Sequence, residues 1–138
     1  MLLLDANIAM YAEGREHRYQ QPCKRVMELA KANSSDYCVD TEILQEILYV
    51  YYSRGETDRG IGVAQDILGM FPTIIPITTA EITIAMRLMS ETRRLSARDA
   101  IHAAVVINHN LEGIVSADQD FVRIPGLRRF DPIEVAAG

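Results

Sequence analysis

The chain has 138 residues, 49% of them hydrophobic and 24% charged, and carries a formal net charge of −5. This length suits a single domain, residues 1–138, with a sizeable core; no apolar stretch is long enough to span a membrane, and Asp5 comes too early, without a basic leader, for a signal peptide. The negative charge argues against broad electrostatic binding of nucleic acid, and Cys23 and Cys38, which lack metal-type spacing, read as reduced thiols of a cytoplasmic protein.

Met1–Asp5 reads as a strand buried on both faces, followed directly by a turn at Asn7. From His17 to Asn33 the apolar residues Val26, Leu29 and Ala30 fall on one helical face, and Asn33-Ser34-Ser35 ends the pattern. Tyr37–Val39 is a second short strand. Asp40 or Thr41 then caps a helix reaching about Arg54, where Gly55 stops it. Thr57 opens another helix that reaches Met70. Thr73–Ile77, β-branched and bounded by prolines, reads as a third strand near a sheet edge. Thr78 and Glu81 make a capping box for a helix carrying Ile82, Ala85, Met86 and Met89 on one face. Ser96 and Asp99 repeat that pattern and open a helix to about His109. Ile114–Ser116 is the fourth strand, a helical turn follows around Asp118–Phe121, and Arg128–Phe130 is a last short strand. Strands alternating with helices predict right-handed crossovers and a three-layer α/β/α sandwich around a mainly parallel sheet.

Three of the apolar runs lead into an aspartate: Leu2–Leu4 into Asp5, Tyr37–Val39 into Asp40, and Gly113–Ser116 into Asp118 one residue later. In a parallel sheet the carboxyl ends of the strands share one edge, where open α/β sheets place their binding crevice. Asp5 can serve there as a cap for the following turn, with Asn7, or as a ligand. Glu46 lies in a helix that is apolar around most of its circumference, four residues after Glu42 and without a basic helical neighbour. A partly buried glutamate in that position calls for an external cation, a distant arginine or a raised pKa. Glu42, near the helix start, is explained by the helix dipole. Asp99 sits where a capping box places its acid. Asp118 and Asp120 flank Gln119 after the fourth strand, where loop acids commonly form turns, and Ser116 adds a hydroxyl nearby. Carboxylates converging on one crevice repel one another unless a cation sits among them, and a hard divalent ion such as Mg²⁺ or Mn²⁺ takes oxygen ligands.

The remaining polar residues carry less. His102 and His109 are seven apart on one helix, too far to share a zinc, and His102 among Ala100, Ala103 and Val106 reads as packed or hydrogen-bonded in the core. Tyr49, Tyr51 and Tyr52 at helical spacing read as packing residues before RNA-stacking ones. Arg87, Arg93, Arg94 and Arg98 in one stretch, and Arg123, Arg128 and Arg129 in another, read as solvated faces that leave room for a basic rim around an acidic centre.

In their order and setting the acids resemble the motifs of the PIN-domain ribonucleases, in particular the VapC-type toxins of toxin–antitoxin pairs. Leu4-Asp5-Ala6-Asn7 is similar to the family's opening motif. Thr41-Glu-Ile-Leu-Gln-Glu46-Ile-Leu-Tyr is similar to the second and selects Glu46 over Glu42. Leu95-Ser-Ala-Arg-Asp99-Ala-Ile-His-Ala-Ala104 matches the third, and Ser116-Ala-Asp118-Gln-Asp120-Phe121 the fourth. The closing Ile124–Pro132 stretch also looks familial, whereas Asp40 departs from the serine that relatives often carry. The resemblance covers nearly the whole chain and implies a metal-dependent endoribonuclease. Asp5, Glu46, Asp99 and Asp118 would be its catalytic and metal-holding acids, with Asn7, Ser116 and Asp120 in support. The implied chemistry is hydrolysis: one or two Mg²⁺ or Mn²⁺ ions bind the scissile phosphate and acidify a water that attacks phosphorus in line. An RNA substrate, a cognate antitoxin protein and a homodimer follow from the same resemblance, with no membrane involved. Arg93, Arg94 or Arg98 would hold flanking phosphates.

Two other functions compete. A phosphatase or phosphotransferase on a similar sheet would carry an aspartyl nucleophile with a second aspartate two residues on, but position 7 is Asn, and the only lysines are Lys24 and Lys31. A non-catalytic PIN-shaped RNA- or protein-binding module has no need to retain all four acids. The helices at 41–52 and 57–70 carry more apolar side chains than one buried stripe requires, including Tyr49, Tyr51, Tyr52, Ile61 and Met70; each reads first as core, and the surplus as an interface.

Overall fold

A computed structural model describes residues 1–138. Five strands form one sheet: β1 (Leu2–Leu4), β2 (Tyr37–Asp40), β3 (Ile74–Ile75), β4 (Gly113–Val115) and β5 (Arg129–Phe130), in the order β3-β2-β1-β4-β5. Every neighbouring pair is parallel. Helix pairs make the long crossovers: α1 (Ala6–Glu13) and α2 (Gln20–Ala32), α3 (Thr41–Ser53) and α4 (Thr57–Met70), α5 (Thr79–Glu91) and α6 (Ala97–Asn108). A 3₁₀ turn (Gln119–Arg123) joins β4 to β5, and α7 (Pro132–Ala137) ends the chain. The expected α/β architecture with its parallel central sheet is the one that forms. No helix is long and apolar enough to cross a membrane.

The central strands are buried on both faces, as helix-covered parallel strands require. Leu3, Leu4, Cys38, Val39, Ile114 and Val115 belong to one core that also takes Ile8, Val26, Ile43, Ile47, Ala103, Val106 and Phe121. From β1 the chain winds outward through β2 and β3, then returns to the other side of β1 for β4 and β5. The strand order therefore reverses between β1 and β4, which is the place where open α/β sheets open a crevice. Register aligns Leu4 with Val115, and the Asp5 N–H donates to the Val115 carbonyl at 3.0 Å. Asp5 and Ser116 thus leave the sheet side by side.

Local chemistry sets the element ends. Asp40 caps α3, its Oδ1 accepting from the Ile43 N–H at 2.9 Å. Gly55, at φ +71°, supplies the left-handed residue just past the end of α3. Four details depart from expectation. The turn at Asn7 is instead the first turn of α1, because the Asp5 carboxylate caps Ala6 and the spacing of Ala6, Ile8 and Ala9 buries one face. The third strand shortens to Ile74–Ile75. On α5 the buried side chains are Glu81, Ala85 and Leu88, whereas Ile82, Met86 and Met89 are exposed. The expected apolar face therefore turns outward, except for Ala85. Helix α7 was not foreseen, although Asp131 followed by Pro132 at the first helical position is a start signal.

Candidate active site

The site begins where β1 ends. Asp5 Oδ1 accepts from the Ala6 N–H at 2.7 Å, and Oδ2 accepts from the Ser116 hydroxyl at 2.6 Å and the Asn7 amide at 3.2 Å. Asn7 Nδ2 also donates to Ser116 Oγ at 3.1 Å, while its Oδ1 accepts from the Ala117 N–H at 3.3 Å. Ser116 Oγ further accepts from the Asp118 N–H at 3.0 Å. Asn7 and Ser116 therefore lace the start of α1 to the loop after β4, and Asp5 is at once a helix cap and a crevice residue. Burial pushes the Asp5 carboxyl above its ordinary range, against the pull of His102 and the Ser116 hydrogen bond.

Helices α3 and α6 supply the opposite wall. Glu46 has no basic neighbour along its own helix, but Arg98 from α6 reaches it, with Nε 3.3 Å from Glu46 Oε1 and 3.8 Å from Glu42. The arginine that this glutamate needs thus comes from across the fold. Behind Glu46 stands His102, fully buried, its Nδ1 2.8 Å from Asp40 Oδ2. Its Nε2 lies 3.9 Å from Asp5 Oδ1 and 3.9 Å from Glu46 Oε1 and has no hydrogen-bond partner. Burial alone would lower the His102 pKa. The Asp40 carboxylate, with help from Glu46 and Asp5, outweighs it and holds the ring well above the ordinary imidazole value. His102 is in the core and hydrogen-bonded, as expected; its position against two of the crevice acids was missed. The one available signal was Asp40 itself, whose extra carboxylate requires a buried cationic or N–H partner.

Asp99 opens α6. Ser96 Oγ accepts from the Asp99 N–H at 3.1 Å, but the return bond of a capping box, from the Ser96 N–H to the Asp99 carboxylate, is not made. Burial raises the Asp99 carboxyl to about 6, assisted by the like charges of Asp118 and Asp5. Asp118 caps the 3₁₀ turn, its Oδ1 accepting from the Asp120 N–H at 2.8 Å. Asp120 is exposed. Arg93 and Arg94 are tied through their carbonyls to the Arg123 guanidinium, and Arg129 donates to the Ser116 carbonyl at 2.9 Å and pairs with Asp131. Arg98 is the arginine that lines the crevice.

Asp5, Asn7, Glu46, Ser96, Arg98, Asp99 and Asp118 surround one crevice of about 530 Å³, and no apolar side chain lines it. Glu42 is not among them. The acids fall into two sets, Asp5 and Glu46 with His102, and Asp99 with Asp118 and Asp120, each offering ligand atoms within 4.8 Å of one another. Hard carboxylate oxygens in this number, an unpaired buried nitrogen beside them and a carboxyl pushed up by burial and by its acidic neighbours together fit a divalent cation.

Comparison with known proteins identifies the family and the fold. Residues 2–127 match the PIN-domain family. The chain is 31% identical over 129 residues to the VapC ribonuclease Mb1869c of Mycobacterium bovis, an alignment covering 94% of this chain and 98% of the relative. Ribonuclease VapC13 of Mycobacterium tuberculosis gives the same figures, 31% over 129 residues, 94% and 98%. Among solved structures, VapBC2 of Rickettsia felis bound to a promoter DNA fragment superposes with a TM-score of 0.73 at 20% identity, covering 94% of this chain and 98% of that one. VapC20 of M. tuberculosis, a sarcin–ricin-loop-cleaving toxin, superposes with a TM-score of 0.75 at 16% identity, over 88% of this chain and 93% of that one. The structural likenesses show the fold, and the sequence likenesses show the group. The chain belongs to the PIN-domain family, among the VapC ribonucleases.

Proposed function

We propose that the crevice is the catalytic centre of a metal-dependent endoribonuclease, the toxin of a toxin–antitoxin pair. The observation that carries this reading is the convergence of four acids from four separate parts of the chain on one crevice without apolar lining. Asp5, Glu46, Asp99 and Asp118 would hold Mg²⁺ or Mn²⁺. When bound, such an ion neutralises charge on a phosphodiester and acidifies water at neutral pH. Asn7 and Ser116 keep the Asp5 carboxylate from rotating out of the crevice. Arg98 holds Glu46 in the crevice wall and offers a guanidinium that can turn to a phosphate oxygen. Asp118 anchors the 3₁₀ turn, which places Asp120 at the rim.

The reading extends to partners and address. The substrate is RNA, the restraining partner is a cognate antitoxin, and the chain works as a single domain in the cytoplasm. A homodimer is supported by exposed Tyr49, Tyr52 and Ile61 on α3 and α4; Tyr51, by contrast, is core. A non-catalytic binding module would have no use for four converging carboxylates. The test is cleavage of a structured RNA with Mg²⁺, with Mn²⁺ and with EDTA, using wild type and Asp5→Asn. Cleavage should need the ion, and Asp5→Asn should lower it by about 100-fold or more, since even residues behind a metal's ligands cost about 10–100-fold. Equal cleavage by the variant, or cleavage in EDTA, refutes the reading.

A further inference from the structure

Among the buried side-chain polar atoms of the fold, His102 Nε2 stands alone in having no hydrogen-bond partner. The ring cannot rotate to find one. Its Nδ1 is bound to Asp40 Oδ2 at 2.8 Å, and the other Asp40 oxygen is committed to the Ile43 N–H at the start of α3. A carboxylate only accepts, so Nδ1 carries the hydrogen of that bond. The free nitrogen is therefore aimed at the gap between Asp5 Oδ1 and Glu46 Oε1, each 3.9 Å away. A lone pair facing two carboxylates is untenable unless something positive occupies the gap.

We propose that His102 is a metal ligand, completing with Asp5 and Glu46 a buried site that takes Mn²⁺ in preference to Mg²⁺. The proposal rests on the metal-centred reading above and adds to it a nitrogen donor and an ion preference. Bonds of about 2.1 Å set ligand atoms roughly 3 Å apart at right angles and about 4.2 Å apart when opposite, so separations of 3.9 Å lie within reach of one ion. A carboxylate behind the imidazole fixes its tautomer and raises its donor strength, which is the arrangement Asp40 makes. Imidazole nitrogen favours first-row transition ions, whereas Mg²⁺ keeps oxygen ligands and water. Without an ion a proton on Nε2 fills the gap, and the ion replaces it on binding.

The test uses the whole chain, stripped of metal and titrated with Mn²⁺ alone and with Mg²⁺ alone by calorimetry, with pulsed electron paramagnetic resonance of bound Mn²⁺. Wild type should show imidazole nitrogen hyperfine coupling and bind Mn²⁺ more tightly than Mg²⁺. His102→Gln, which offers an oxygen, should lose the coupling and most of the preference for Mn²⁺. Asp40→Ser keeps a hydroxyl to cap Ile43 and should weaken Mn²⁺ binding by about 10–100-fold, with little change for Mg²⁺. If His102→Gln fails to fold by circular dichroism, the wild-type coupling and Asp40→Ser still decide. Bound Mn²⁺ without nitrogen coupling overturns the ligand role and leaves the nuclease reading standing. Absence of Mn²⁺ binding, together with cleavage in EDTA, overturns both.

Discussion

Asp99 carries the clearest titration in the crevice. Its carboxyl is near 3.8 in the unfolded chain and about 6 in the fold. The folded state therefore binds the proton more tightly, and stability from this group is full below about pH 4 and falls as pH rises through about 6. Metal binding has the opposite sense, since the ion needs the carboxylate: affinity should drop at least about tenfold per pH unit below about 6. Melting of the metal-free protein between pH 4 and 7 should show the decline in wild type, and Asp99→Asn should flatten it while abolishing cleavage. If Asp99 were only a helix cap, the variant would melt lower by up to about 1–2 kcal/mol and still cut in proportion to its folded fraction. Placement at strand ends and a helix start brought Asp5, Asp99 and Asp118 toward one sheet edge, whereas Glu46, mid-helix on α3, was chosen over Glu42 by the family resemblance. The partners of Glu46 were not legible, because Arg98 and His102 approach it from a helix some fifty residues away, and spacing reports only neighbours along one element.

At the scale of the element, the crossing of α3 and α4 depends on one missing side chain. A Cβ on Gly60 would fall 2.6 Å from Tyr51 Cβ, too close for the buried tyrosine to yield. Gly60→Ala should destabilise the fold by about 1–3 kcal/mol in denaturant titration, through forced separation of the two helices. Glu81, 2% exposed on α5, is the other telling case. Burial acts to raise its pKa, but hydrogen bonds from Thr78 at 2.5 Å and His109 at 3.1 Å bring it below the ordinary value. That stabilisation is present above the unfolded glutamate pKa and lost as pH falls through the folded one. Glu81→Ala should cost about 1–3 kcal/mol at neutral pH, and the loss should shrink in acid. The capping box that starts α5 was legible; the face it buries was not. Ile82, Met86 and Met89 make the stronger apolar stripe, yet the side that turns inward is the one where Glu81 meets His109, just past the end of α6.

The whole molecule combines an acidic centre with apolar side chains left on its surface. Tyr49 and Tyr52 are 55% and 69% exposed on α3. Sedimentation should give twice the 15.5 kDa chain mass, and Tyr52→Asp should shift it toward the single chain while changing monomer stability by no more than about 0.5 kcal/mol. A divalent ion that binds only the folded chain should raise stability by about 2.7 kcal/mol at one hundred times its dissociation constant, and Asp5→Asn should lose most of that gain. One further consequence comes from the margins of the sheet. Its outermost strands, β3 and β5, are two residues long each. Edges that short present too few unpaired N–H and C=O groups to template another strand. Extension of this sheet by a second copy or by a peptide is therefore disfavoured. A restraining partner would instead be recognised through side chains on helices and loops, with its specificity written in residue identity and not in backbone pairing.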